Sequence, residues 1–196
     1  MKNLRKTLFF ALLLILTISS LAFARTNSSS ERKKAMTVYK NILATNPYAD
    51  GDGGFKAHEF MLKDVNNDGI PELFINAVTK KEGYCLQVFS YSKGKDVFLY
   101  NSWTLDTYYY SSKKKSILIY NNYNGRIDYS VYKFNSTCTK MNCVASISSD
   151  SGKYYDGNKT ITKAQYSKLA KSCMSSMKKI TFPYENTKTN RDKYLK

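Results

Sequence analysis

Histidine and tryptophan are almost missing from this chain, which has one of each in 196 residues. That scarcity excludes a zinc centre built on clustered imidazoles and the two-histidine H-E-x-x-H helix of metalloproteases. His58 and Cys85 could in principle form a base and nucleophile, but nothing in the sequence fixes their geometry, and a structural role is the simpler reading. No G-x-S-x-G turn is present to mark a serine hydrolase. The four cysteines contain no C-x-x-C pair, which removes a cysteine-based zinc site. Acidic residues are also short, 15 against 31 Lys and Arg, so the formal net charge is +16. No recognised nucleic-acid motif organises that charge. No long repeat and no second domain boundary interrupts the chain.

Lys2, Arg5 and Lys6 precede the apolar run Leu8–Leu16, and Ala22-Phe23-Ala24 places small residues at a cleavage position. This is the pattern of a secretory signal peptide over 1–24. Thr17, Ser19 and Ser20 dilute the run before it reaches the ~20 residues of a permanent anchor. No later segment is apolar enough to cross a bilayer, and no cysteine follows the run to carry a lipid. The expected organisation is a leader 1–24, a polar linker 25–30 and one secreted domain 31–196. Without the leader's three basic residues, 28 basic residues face 15 acidic ones, a net charge of +13. That balance favours loose attraction to polyanions such as phosphate-rich cell-wall polymers, without specific nucleic-acid recognition. The basic residues are scattered, as in Lys80-Lys81, Lys113-Lys114-Lys115 and Lys178-Lys179, and read as solvated turns and helix ends.

One stretch carries ordered chemistry: Asp64-Val65-Asn66-Asn67-Asp68-Gly69-Ile70-Pro71-Glu72-Leu73. Asp64, Asn66 and Asp68 alternate, Gly69 permits a sharp bend, the Ile70 carbonyl is placed to face inward, and Glu72 can return a carboxylate. Calcium takes six to eight oxygens at roughly 2.3–2.6 Å, and this spacing supplies such a set. A polar hairpin tip is the plainer alternative. Pro71 at the eighth position and Ile75 at the twelfth depart from an EF-hand, so the loop is expected between strands rather than helices. Asp50 and Asp52 form a glycine-rich acidic loop without a complete ligand set. The element resembles the "DxNxDGxPEL" loop of secreted proteins of Gram-positive bacteria, and is similar to the calcium loops of FG-GAP and VCBS-type β modules. The resemblance is sharp over Phe60–Asn76. It implies Asp64, Asn66, Asp68 and Glu72 as side-chain ligands, Ile70 as a carbonyl ligand and an extracellular location, and it implies no activity.

Around the loop, Ala35, Met36, Val38, Tyr39, Ile42 and Leu43 form one apolar stripe of a helix from Glu31 to Ala44. Eight strands are expected: Glu59–Asp64, Leu73–Val78, Tyr84–Tyr91, Asp96–Asn101, Thr107–Ser111, Ser116–Tyr120, Arg126–Phe134 and Asn142–Ser148. Asn124-Gly125 is a strong two-residue hairpin signal. Thr162 and Gln165 make a capping box for a helix from Lys163 to about Lys178, followed by an extended Ile180–Pro183 and a short helix or tail from Thr187. The expected fold class is α+β, an antiparallel β-meander with an N-terminal helix and a C-terminal helix packed on the sheet. Large residues on both faces, such as Ile127, Tyr129 and Val131 against Tyr132 and Phe134, call for cover on both sides.

Four cysteines in an exported chain suggest two disulfides, with Cys138 to Cys143 and Cys85 to Cys173 the favoured pairs among three connectivities; free buried thiols are the alternative. The seventeen tyrosines serve either sheet packing or a binding face around Trp103, Tyr108 and Tyr110. The leading expectation is a secreted, calcium-stabilised, non-catalytic domain that binds an extracellular protein, glycan or polymer. A secreted hydrolase of cell-wall or glycan material is the alternative, and a basic inhibitor or toxin-like protein is the third reading.

Overall fold

A computed structural model describes residues 29–45, 56–78, 83–102 and 106–196. The expected leader 1–24, Asp50, Asp52 and Trp103 lie outside the described residues. The protein is α+β, with two antiparallel sheets of meander strands and helices packed against them. The first sheet has the order β12-β1-β2-β3-β4, with β1 at Lys56–Lys63, β2 at Glu72–Val78, β3 at Tyr84–Ser92, β4 at Lys95–Asn101 and β12 at Tyr184–Glu185. The second has the order β10-β9-β8-β7-β6-β5-β11. Its meander comprises β5 at Thr107–Ser111, β6 at Ser116–Tyr123, β7 at Arg126–Phe134, β8 at Met141–Asp150, β9 at Lys153–Asp156 and β10 at Lys159–Ile161, and β11 at Lys178–Lys179 lies along β5.

Both faces of each sheet are covered, which explains why the strands lack simple apolar and polar alternation. Helix α1 (29–45) lays Ala35, Met36, Tyr39, Ile42 and Leu43 on Leu73, Ile75, Ala77 and Phe89 of the first sheet. The opposite face of β2 and β3 turns Phe74, Leu86 and Val88 toward Ile117, Ile119 and Phe134 of the second sheet. On that sheet's far side, Leu118, Val131 and Ile147 receive Leu169, Ala170 and Cys173 of helix α2 (Lys163–Met174). The layers therefore run helix, sheet, sheet, helix. The sequence reading expected one covered sheet; the meander divides in two because β4 and β5 do not pair. Ser102 sits at the division, where its hydroxyl accepts from the Leu86 N–H at 3.1 Å and bonds the Tyr108 hydroxyl at 2.6 Å.

The Asn124-Gly125 hairpin forms between β6 and β7, with φ of 50° and 82° at its two central residues. The Thr162 side chain accepts from the Gln165 N–H, and the Gln165 side chain accepts from the Thr162 N–H, closing the capping box of α2. The helix ends at Met174, about one turn earlier than expected. After it the chain crosses the molecule: β11 pairs with β5 in the second sheet, and β12 pairs with β1 in the first. Asn186 then donates to the carbonyls of Leu43 and Ala57, at 2.8 and 3.0 Å, and helix α3 (Lys188–Tyr194) follows. Tyr194 stacks on Tyr184 with ring centroids 3.9 Å apart, and Leu195 is buried against the α1 layer.

Candidate functional site

The loop from Asp64 to Pro71 joins β1 to β2, whose register closes with Lys63 opposite Glu72. Its shape follows from its own side chains. Asp64 accepts from the N–H groups of Asp68 and Gly69, at 3.2 and 2.9 Å through different oxygens. Asn66 Oδ1 also accepts from the Asp68 N–H, and Asp68 Oδ1 accepts from the Ile70 N–H at 2.8 Å. Gly69 has φ of 89°, a conformation that suits a residue without Cβ, and Asn67 has φ of 61°. The loop is also held from outside. Asn67 donates to the Ser112 carbonyl, the Ser112 hydroxyl donates to the Asp64 carbonyl, and Arg32 reaches the Gly69 carbonyl.

Glu72 differs from the other described acidic residues because it is only 2% exposed. Burial pushes its carboxyl up to about 7, and the nearby charges of Asp68 and Asp64 add to that rise. Two hydrogen bonds oppose it, from the Val65 N–H at 2.8 Å and from the Cys138 thiol. The Cys138 thiol is in turn raised, first by burial and then by Glu72, so it stays protonated and unreactive. Beside this group the buried Tyr39 hydroxyl has no hydrogen-bond partner among the described residues. Burial, with the charge of Glu72 second, holds its pKa well above the ordinary range.

Asp64, Asn66, Asp68 and Ile70 share this turn, and Glu72 follows it as the first residue of β2. No three His, Cys, Asp or Glu side chains among the described residues form a ready metal cluster. The ligand set expected from the sequence mixes an amide and a carbonyl with carboxylates, and in the structure the Asn66 amide donates to Asp68 Oδ2 at 2.7 Å. Such an all-oxygen set fits a hard cation, and the buried, partly neutralised Glu72 is the carboxylate that gains most from one.

Other expected residues are spread through the fold. Cys85 packs under α1, whereas Cys173 lies on α2 and faces the outer side of the second sheet, so the structure places this pair in outer layers on opposite sides of the two sheets. Cys138 points inward to Glu72, whereas Cys143 is exposed. Tyr108 is 8% exposed and belongs to the layer between the sheets, where burial pushes its phenol up to about 12. Tyr110 is half-buried, with the Lys63 ammonium 5.3 Å from its ring centroid. His58 is exposed at a bulge of β1, away from the buried Cys85. The contact between Cys138 and Glu72 was not foreseen. Sixty-six positions separate the two residues, and no local spacing signals it. Comparison of the chain with family models, curated proteins and solved structures finds no match.

Proposed function

We propose that this chain is an exported, non-catalytic binding domain whose β1–β2 loop is stabilised by calcium and whose surface engages an extracellular protein, glycan or polymer. The observation that carries the reading is Glu72, a buried carboxylate returned onto a turn that already gathers Asp64, Asn66 and Asp68. Calcium, when bound, supplies the positive charge that lets these groups stay ionised together. Asp64 and Asp68 fix the turn by accepting its N–H groups, and Glu72 ties the loop to the start of β2. The ion therefore acts on stability.

With a dissociation constant of about 10 µM and calcium at about 1 mM, binding stabilises the folded state by roughly 2.7 kcal/mol. For a chain of this size that corresponds to a rise in Tm of about 5–10 °C. The test is a thermal melt of residues 25–196 with calcium and with chelator, for the unchanged protein and for Asp68→Ala. The expected result is a calcium-dependent rise that the substitution removes. Equal melting temperatures in calcium and chelator for the unchanged protein would refute the ion site.

A further inference from the structure

A groove of about 600 Å³ opens beside the calcium loop, where the end of β1, the β5–β6 turn and the segment after α2 meet. Three lysines from these separate elements, Lys63, Lys113 and Lys178, line it together with the hydroxyl-bearing Ser111, Ser112 and Ser176. Among the described residues, no ion pair involves any of the three lysines. Among the described residues Asp64 is the only acidic one of the lining, and both its carboxylate oxygens accept backbone N–H groups of the loop. Lys114 is not counted, because its ammonium donates to the Ser172 carbonyl at the end of α2, at 2.8 Å. The Ser111 and Ser176 hydroxyls lie 3.2 Å apart and join β5 to the segment after α2.

We propose that this groove binds a linear chain of phosphate groups. Lysine ammoniums bind phosphate oxygens as point charges, and the exposed Ser176 hydroxyl stands beside them as a further polar group for a tetrahedral phosphate. Its volume exceeds what one phosphate fills, and its cations come from both sheets, so successive phosphates of one chain are the fitting occupant. A single-stranded nucleic acid is held in part by exposed aromatic faces on which its bases stack. The aromatic ring in the lining, Tyr110, is half-buried and lies beneath Lys63. The inference deepens the reading of a binding domain by naming its partner, and it does not require the calcium ion.

The test measures binding of inorganic polyphosphate to residues 25–196 in chelator at physiological salt. Proteins carrying K63Q/K113Q/K178Q, or the equally charged control K95Q/K133Q/K153Q on other exposed surfaces, are measured alongside. The groove variant should lose affinity by roughly tenfold or more, and the control should lose no more than about twofold. The double variant K113Q/K178Q, which changes only exposed side chains, should show an intermediate loss even if the Lys63 substitution harms folding. Equal losses in groove and control variants would reduce the effect to overall charge and overturn the proposal. So would binding of poly-glutamate or single-stranded DNA as tight as that of polyphosphate, or of orthophosphate as tight as the chain. Persistence of binding in Asp68→Ala separates this proposal from the calcium reading, since only the latter fails if that substitution changes no melting curve.

Discussion

Glu72 gives the protein a pH dependence of unusual sign. Its folded-state pKa, about 7, lies above the ordinary carboxylate value of 4.5, so the native protein holds a proton that the unfolded chain has released between those limits. The contribution is fully present below about 4.5 and is lost as pH rises through about 7, a change on the order of 3 kcal/mol. Chemical denaturation in chelator should therefore show stability declining across this window. Glu72→Gln should flatten the decline, and saturating calcium should do the same for the unchanged protein by keeping the ionised carboxylate paired. A decline of equal size in Glu72→Gln would place its origin elsewhere. The spacing of Asp64, Asn66 and Asp68 made most of this turn legible in sequence, because alternation within one loop is a local property. The Cys138 thiol on Glu72 and the three lysines around the groove were not legible. They come from elements far apart in the chain, and each lysine taken alone reads as a solvated charge.

Helix α2 covers the outer face of the second sheet through Leu169, Ala170 and Cys173, with Tyr166 reaching Tyr129 and Tyr154 at ring distances of 6.4 and 5.2 Å. Its reciprocal cap at Thr162 and Gln165 satisfies donors at the helix start. Thr162→Ala should cost about 1 kcal/mol. Amide hydrogen exchange should quicken first in the opening turn of α2 while β2 and β3 keep their protection. Uniform loss of protection would mean that the cap supports the whole fold. The eight expected strands and both main helices follow from apolar periodicity and turn residues, and these signals are local. The β9–β10 hairpin escaped because its strands are short and charged, as in Lys153-Tyr154-Tyr155-Asp156. Tyr108, one of the residues expected at a binding face, lies between the sheets, where Tyr100 and Tyr132 also meet at 4.9 Å.

The two sheets are joined at the level of the whole molecule by Phe74, Leu86, Val88, Ile117 and Phe134, and by the crossing of the C-terminal segment. Apolar residues on both faces told of two-sided cover, but alternation cannot say whether the cover is a helix or a second sheet. That segment seals the β5 edge with Lys178-Lys179 and lies along β1 with Tyr184-Glu185. Removing 178–196 should leave both edges open, lower Tm by more than 10 °C and promote self-association through exposed backbone donors and acceptors. Analytical ultracentrifugation of the truncated chain checks this outcome, and a monomer with unchanged melting would contradict it.

The same crossing sets a schedule. A polypeptide delivered N-terminus first, from a ribosome or through a translocation channel, can assemble its hairpins as they emerge, but neither β1 nor β5 receives its last neighbour until residues 178–185 arrive. The closing step joins residues more than a hundred positions apart, as in Phe60 with Tyr184. The molecule is thus built with a latch in residues 178–185, and a chain in transit stays unlatched until that segment has been delivered.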